Sequence, residues 1–312
     1  MPQTTPLPLA ATGSSTSLAP LASALVALTK PRLASFSVLS GLVGYYVAAM
    51  PVRENQTTGF AAASLTVALC GLSLSAGGAL SLNQWWERGP DAQMLRTRGR
   101  PLPSGRLFPA EALLWSVALG TAGVAVLAIS SGWAAFWSLL TIVLYGLVYT
   151  PLKRCTRWAT EVGALSGALP PVIGAAAAGQ PGAPAAWALA AIVLFWQLPH
   201  FFAIGWKYRE DYRRAGFALL PAVDPTGRRT ARAAWYYTWL MVAASLVPCA
   251  TGLLGPVFSV AAVVGGGLML TSSYAFIQAR PDRERAARRL FSHSLLYLPW
   301  IMAALVADGA WR

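Results

Sequence analysis

The stretch GFAAASLTVALCGLSLSAGGALSLN (residues 59–83) contains no charged side chain over 25 positions. About 20 residues of α-helix, rising 1.5 Å per residue, cross the roughly 30 Å hydrocarbon core of a bilayer. Because an unpaired backbone amide in lipid costs several kcal/mol, an apolar run of this length must be helical, and the alternation of a transmembrane barrel is absent. The stretch therefore predicts a membrane-spanning helix.

Similar apolar runs recur along the whole chain. Hydrophobic residues make up 56% of the 312 positions and charged residues 11%, where a soluble domain carries roughly 25% charged residues. The predicted fold class is an all-α, polytopic membrane bundle of nine transmembrane helices. The predicted spans are 33–51, 59–83, 110–129, 133–151, 160–179, 184–206, 234–254, 257–279 and 291–309.

Basic residues are confined almost entirely to alternate loops. Of 24 Lys and Arg, 22 lie before the first span or after the second, fourth, sixth and eighth spans, leaving Arg53 and Arg312 elsewhere. This asymmetry follows the positive-inside rule. It predicts an inner-membrane protein with a cytoplasmic N-terminus and an external C-terminus, and it argues against nucleic acid as the partner of the +13 net charge.

The chain is predicted to contain one transmembrane domain, residues 28–312, after a tail. The first 20 residues are rich in Ser, Thr, Pro and Ala and contain no Lys or Arg. A secretory signal peptide would begin with a basic segment. Residues 1–27 are therefore predicted to be a disordered cytoplasmic tail.

A polar stretch, NQWWERGPDAQMLRTRGRPLPSGR (83–106), follows the second span. Asn83, Glu87 and Asp91 have i, i+4, i+8 spacing, which on a helix places three oxygen-bearing side chains on one face. Pro90 is predicted to kink or end that helix, so that Asp91 reaches the array from a turn. Oxygen ligands of this kind suit Mg²⁺ bound to a diphosphate.

The arginines that follow support the same interpretation. Guanidinium groups match phosphate oxygens in geometry and charge, and Arg96, Arg98, Arg100 and Arg106 come directly after the oxygen array. The alternative is that Glu87 and Asp91 only neutralise neighbouring arginines at a headgroup surface.

A second acid-rich stretch, WKYREDYRRAGFALLP (206–221), follows the sixth span. Both long connections contain about 26 residues, whereas loops that only join helices contain roughly two to eight. Two loops with acids among arginines on one membrane face predict a single shared site, to which Asp211 contributes. The alternative is that Lys207 and Asp211, at i and i+4, form an ordinary surface ion pair.

The pattern N-x-x-x-[E/D]-x-x-x-D-x-x-M-x-R-T-x-x-R-P-L from Asn83 to Leu102 resembles the signature of heme O synthases, a branch of the UbiA-type intramembrane prenyltransferases. The similarity extends over nearly all of residues 28–299. The supporting stretches are LTKPRL (28–33), YTPLKR (149–154), GALPPVIG (167–174), LPHFFAIGWKYREDYRRAG (198–216) and SLLYLP (294–299).

The resemblance implies nine transmembrane helices and transfer of a farnesyl group from farnesyl diphosphate to a vinyl group of heme b, with Mg²⁺ as cofactor. It places the chain among membrane lipid, with heme A synthase or a terminal oxidase assembly as further partners. Two positions depart from the family pattern. Ala159 replaces a usual Asn, and Lys207 replaces the first Asp of a second acidic motif, which puts a second Mg²⁺ in doubt.

The resemblance also implies roles for individual residues. Asn83, Glu87 and Asp91 would hold Mg²⁺-diphosphate and Arg96 and Arg100 its phosphate oxygens, with Asp211 and Lys207 on the second loop. Lys153 and Arg154 would hold diphosphate or heme propionates, or else only determine topology. His200, in an apolar segment, needs a partner. It would ligate or orient heme, or be a packing histidine, which is the favoured interpretation for His293.

Two other classes of protein share some of these features. A transporter for an anionic amphiphile would also have basic loops, but it would carry acids or broken helices near the midplane of paired repeats, whereas the carboxylates here lie at the predicted cytoplasmic ends of the spans. A prenyltransferase acting on an aromatic quinone precursor would share Asn83 to Asp91 and Mg²⁺ while taking a small acceptor.

Overall fold

The computed structural model describes residues 18–50, 58–279 and 282–310, and within these ranges the regular secondary structure is entirely helical. Five of the helices begin with proline, whose fixed φ and missing N–H suit the first helical turn. The all-α fold class is confirmed. The helices are α1 (Leu18–Leu28), α2 (Pro31–Ala49), α3 (Thr58–Gln93), α4 (Pro109–Ser130), α5 (Gly132–Ile142), a π-helical segment (Val143–Tyr149), α6 (Thr150–Leu152), α7 (Ala159–Gly167), α8 (Pro170–Ala177), α9 (Pro184–Lys207), α10 (Arg209–Arg214), α11 (Leu220–Val223), α12 (Arg228–Ala250), α13 (Pro256–Gln278) and α14 (Arg283–Ala310).

Eight helices in the described ranges are long and apolar enough to cross a bilayer, so the chain is an integral membrane protein. The fifth predicted span, 160–179, is the one that the structure divides, into α7 and α8. The break falls at Ala168 and Leu169 because Pro170 and Pro171 lack N–H donors and disfavour helical geometry before them. Nine predicted spans therefore correspond to eight continuous helices and one broken pair.

The prediction of a disordered tail over residues 1–27 is wrong for its last part. Residues 1–17 lie outside the described residues, whereas Leu18–Leu28 form helix α1. Ala24 and Leu28 are fully buried against an apolar cluster with Leu102, Leu107 and Ala112. The apolar composition of α1 makes this burial favourable, so the segment folds onto α3 and α4.

The long helices pack at close range through small residues. A Cβ atom added at Gly78 on α3 would lie 2.4 Å from the backbone nitrogen of Gly120 on α4. Small residues let helix backbones approach where lipid provides no hydrophobic driving force. The largest apolar cluster joins α9, α12, α13 and α14, and a second joins α2, α3, α5 and α8.

Four long-range contacts bring the basic loops to one end of the bundle, called here the polar end. Lys30 bonds Asn83, Lys153 bonds Glu87, the Ala218 N–H donates to the Lys153 carbonyl at 2.7 Å, and Arg283 donates to the Gly227 carbonyl at 3.2 Å. The connections after the second, fourth, sixth and eighth predicted spans thus meet. The two long predicted connections contain helix. The helix α3 continues to Gln93 in the first connection, and α10 and α11 occupy much of the second.

Candidate active site

The oxygen array lies on one continuous helix. α3 runs through Pro90 to Gln93, so the prediction that Asp91 projects from a turn is wrong. Pro90 is tolerated because it lies three residues from the helix end, so the bend that a proline introduces affects only the last turn. Asn83, Glu87 and Asp91 are 1%, 7% and 0% exposed, so three polar side chains on one helix face are buried together.

Each member of the array holds a basic side chain from another segment. The Lys30 ammonium donates to Asn83 Oδ1 at 2.5 Å, and the Lys153 ammonium donates to Glu87 Oε1 at 2.5 Å. The Arg100 guanidinium donates to Asp91 Oδ2 at 2.7 Å. Buried charges are tolerated only when paired in this way. The site is therefore an alternating set of three oxygens and three cations at the polar end.

Lys30 was not predicted as a site residue, although it lies in the stretch LTKPRL. Its φ of +48° is the one positive value among the described non-glycine residues. Strained backbone of this kind costs about 1–3 kcal/mol and persists where the surroundings enforce it. Burial and the nearby Arg100 guanidinium lower the pKa of Lys30 to about 7. A lysine directly before a helix-starting proline was the available sequence signal.

Lys153 and Arg154, predicted as a pair, have different environments. Lys153 is buried beside Glu87, with its ammonium 4.3 Å from the centre of the Tyr149 ring. Burial disfavours its charged form, but the Glu87 carboxylate outweighs burial and raises the pKa of Lys153. Arg154 is exposed. Only Lys153 is brought to the oxygen array.

The π-helical segment Val143–Tyr149 positions the residues that precede Lys153. π-Helical turns are rare and occur frequently at functional sites. Thr150 Oγ1 donates to the Tyr145 carbonyl at 2.7 Å and accepts from Asn83 Nδ2 at 3.1 Å. Asn83 is thereby held with its Oδ1 toward Lys30.

The second loop packs against the first but contributes less than predicted. Ala215, Phe217 and Leu219 form a cluster with Met94, and the Arg96 guanidinium lies 5.0 Å from the centre of the Tyr208 ring. The Asp211 carboxylate pairs with Arg214 on its own helix at 2.9 Å, rather than with Lys207. The Lys207 ammonium is 5.0 Å from the centre of the same Tyr208 ring. The structure thus brings the loops together without placing Asp211 on the oxygen array.

A cavity of about 230 Å³ lies in the bundle next to the array, which it adjoins through Tyr149, the ring that Lys153 contacts. Tyr145 and Tyr149 line its upper part, close to Lys153. Leu72, Ser138 and Ile173 line it at the far end, where Leu72 and Ile173 are 3% and 2% exposed. Other lining residues are Leu33, Ser37, Ser75, Ala76, Ala79, Leu80, Thr141, Ile142, Gly163, Ser166, Gly167, Pro170, Gln197 and Phe201.

His200 lies beside this cavity, on a face of α9 turned toward α14. Its Nδ1 is 2.8 Å from Ser294 Oγ, and Ser294 Oγ donates its proton to the Phe291 carbonyl. When that hydroxyl gives its one proton to the Phe291 carbonyl, Nδ1–H is the donor to Ser294 and the lone pair lies on Nε2. The ring stacks on Trp196 at 5.2 Å and lies 5.0 Å from Phe291.

The other histidine has a similar hydrogen bond on a different helix pair. His293 Nδ1 is 2.5 Å from Ser272 Oγ, and that hydroxyl donates to the Leu268 carbonyl at 2.7 Å. His293 therefore faces α13, whereas the adjacent Ser294 faces α9. The two histidines do not share a site.

An oxygen-and-cation site next to an apolar cavity, inside a helical membrane bundle, is typical of an intramembrane enzyme. The model of the UbiA prenyltransferase family matches residues 37–296, and the chain belongs to this family. Among its relatives, "Protoheme IX farnesyltransferase" of Opitutus terrae is 40% identical, covering 90% of this chain and 92% of that protein. The protein of the same name from Solibacter usitatus is 41% identical, covering 91% and 97%.

Solved structures share the fold at low sequence identity. A digeranylgeranylglyceryl phosphate synthase matches with a TM-score of 0.76 at 13% identity, covering 93% of this chain and 99% of that one. A UbiA homolog from Archaeoglobus fulgidus bound to GPP and Mg²⁺ matches with a TM-score of 0.59 at 14% identity, covering 90% and 99%.

Proposed function

We propose that the chain transfers the farnesyl group of farnesyl diphosphate to a vinyl group of heme b, giving heme O and releasing diphosphate. The observation that carries this proposal is the set of three cations and three oxygens next to an apolar cavity. The relatives named protoheme IX farnesyltransferase support the choice of acceptor. An aromatic quinone precursor is the alternative acceptor within the same family.

The cations suit a diphosphate leaving group. Lys30, Lys153 and Arg100 converge from three segments, and a diphosphate placed among them would exchange its oxygens for those of the array. Positive groups that already lie where negative charge develops on the leaving diphosphate lower the barrier to ionisation of the allylic C–O bond. The allylic C1–O bond breaks, the heme vinyl π electrons form the new bond to C1, and the diphosphate carries away the bonding pair. Water then adds to the resulting cation and loses a proton.

A divalent cation fits the array by its donor chemistry. Asp91 Oδ1 is buried and has no hydrogen-bond donor among the described residues, so one carboxylate oxygen faces the site unsatisfied. Asn83, Glu87 and Asp91 offer the oxygen ligands that Mg²⁺ prefers. No three His, Cys, Asp or Glu side chains of the described chain cluster as a metal site. Mg²⁺ would therefore take its other ligands from diphosphate and water, and would help to neutralise the leaving group.

The cavity suits the farnesyl chain. Its volume of about 230 Å³ is below the roughly 300–1,000 Å³ of pockets that enclose drug-sized ligands. The cavity therefore accommodates one farnesyl chain and leaves the heme macrocycle outside. Eleven helical positions separate Asn83 from Leu72, a distance of about 16 Å, comparable with about three extended isoprene units. An apolar enclosure also keeps water from the allylic cation.

Product analysis tests the proposed function directly. Purified protein in lipid vesicles, given heme b, farnesyl diphosphate and Mg²⁺, is expected to form a product with the mass of heme O. A parallel reaction with a hydroxybenzoate acceptor is expected to form no prenylated product. Prenylation of the hydroxybenzoate without modification of heme would assign the chain to the quinone branch instead.

Chain-length selection is expected at the end of the cavity that Leu72 lines. Leu72→Ala is expected to raise the use of geranylgeranyl diphosphate relative to farnesyl diphosphate by about tenfold, because fit to an apolar pocket is worth roughly 10–200-fold per methylene. The measurement is product ratio in a competition assay. Leu69→Ala, on the outward face of the same helix, is the control. An unchanged product ratio in a stably folded Leu72→Ala protein would show that the farnesyl chain does not lie against Leu72.

The orientation in the membrane is a further part of the proposal. The polar end gathers the arginine-rich connections, and the positive-inside rule assigns that end to the cytoplasm. Since α14 begins at the polar end with Arg283, the C-terminus is expected outside. A reporter enzyme that works only outside the cytoplasm should be active when it is fused after Arg312. Activity of a cytoplasm-specific reporter at that position would reverse the assignment.

A further inference from the structure

A groove of about 450 Å³ lies between α7 and α12 at the polar end. Its basic lining residues are Arg157, Arg229 and Arg232, its acidic one is Glu161, and Trp158, Tyr236 and Tyr237 add aromatic walls. It is called here the arginine groove. None of the residues in the oxygen array or around the central cavity lines it.

Helix α7 separates the arginine groove from the cavity. Gly163 lines the cavity and Glu161 lines the groove. Two residues on an α-helix point about 200° apart, so these positions occupy opposite faces. The groove therefore opens on the outer surface of the bundle, where lipid headgroups lie.

The arginines of the groove are available to an anion. Arg229 and Arg232 are exposed, and within the described ranges neither has a carboxylate within ion-pairing distance. They occupy adjacent turns of α12, and the Arg157 guanidinium lies 5.1 Å from the Trp158 ring centre on the other wall. Guanidinium groups are suited in shape and charge to phosphate oxygens.

Glu161 gives the groove a second requirement. The Tyr237 hydroxyl donates to its Oε1 at 3.5 Å, and its Oε2 is buried without a donor among the described residues. A buried carboxylate oxygen without a partner indicates a missing donor. A purely anionic ligand would be repelled by this carboxylate, whereas a ligand with both a phosphate and an ammonium would satisfy both parts of the groove.

The position of the groove agrees with a lipid ligand. Trp158 and Tyr236 are 54% and 60% exposed, and such aromatic residues favour the membrane interface. Basic pockets between transmembrane helices bind lipid headgroups. We infer that the arginine groove binds the phosphoethanolamine headgroup of a membrane lipid, with its phosphate on Arg229, Arg232 and Arg157 and its ammonium on Glu161.

Native mass spectrometry of the purified full chain tests this inference. The protein is mixed with equal amounts of phosphatidylethanolamine, phosphatidylglycerol and phosphatidylcholine, and the retained lipid is identified. The unmodified protein is expected to retain phosphatidylethanolamine preferentially. Arg229→Gln with Arg232→Gln is expected to lower retention at least about tenfold, since hydrogen bonds to charged groups are lost.

Two further variants separate charge from position. Arg228→Gln with Arg289→Gln removes the same charge from exposed residues that do not line the groove, and is expected to retain lipid normally. Glu161→Gln is expected to abolish the preference for phosphatidylethanolamine over phosphatidylglycerol while binding of both continues.

Three results would overturn the inference: equal retention of the three lipids by the unmodified protein, equal losses in the two double arginine variants, or an unchanged preference in Glu161→Gln. Heme O formation is measured in every variant and is expected to stay within about twofold, because surface changes away from a site have small effects. Loss of lipid selectivity with normal heme O formation keeps this test separate from the proposed function.

Discussion

Asp91→Asn is expected to lower heme O turnover by at least about a hundredfold, the loss seen when one preorganised charge-stabilising group is removed. The carboxylate is fully buried, pairs with Arg100 through Oδ2, and leaves Oδ1 for a cation. Asparagine keeps the shape but removes the charge. Initial rates at saturating heme b and farnesyl diphosphate measure the effect, and the Mg²⁺ concentration for half-maximal rate is expected to rise.

A matched control separates the site from the rest of the polar end. Glu210 is 58% exposed and pairs with Arg213 at 2.7 Å, so Glu210→Gln should change turnover by no more than about twofold. Glu87→Gln, which removes the charge that holds Lys153, should resemble Asp91→Asn. Near-normal turnover in well-folded Asp91→Asn and Glu87→Gln proteins would show that the diphosphate does not bind at this array.

His200→Ala is expected to weaken heme b binding at least about tenfold and to change the visible spectrum of bound heme, while farnesyl diphosphate affinity is retained. The reason is the hydrogen bonding: with Ser294 Oγ accepting from Nδ1–H, the lone pair on Nε2 would be available to iron. In histidines that bind a metal through one ring nitrogen, the N–H of the other ring nitrogen usually donates a hydrogen bond to a neighbouring group. Heme titration followed by absorbance measures affinity and ligation together.

The chain provides a close control for this experiment. His293 has a similar Nδ1 hydrogen bond, to Ser272, but faces α13. His293→Ala should therefore leave heme affinity and spectrum unchanged. A packing role for His200 makes the opposite prediction: His200→Ala would lower thermal stability while the remaining heme complex kept its affinity and spectrum.

The sequence predicted the parts of this molecule that depend on local periodicity. The α3 array is an example, because 3.6 residues per turn aligns Asn83, Glu87 and Asp91 wherever the helix packs. Two predictions were wrong: that Asp91 projects from a turn after Pro90, and that the α1 segment is disordered. A proline can be accommodated near the end of a helix, and a short apolar segment becomes ordered only when a neighbouring surface buries it.

By itself, then, the sequence determined that the chain is a helical membrane bundle with its arginines at one end, because apolar backbone in lipid must bond internally and basic residues remain at one membrane face. Only the tertiary structure decided which cations meet which oxygens. Lys30 reaches Asn83 across 53 positions and Lys153 reaches Glu87 across 66. It also decided that Asp211 pairs with Arg214 and that Leu72 and Ile173 line the cavity. These contacts depend on the rotation and depth of each helix against its neighbours, which packing of side chains from distant segments sets.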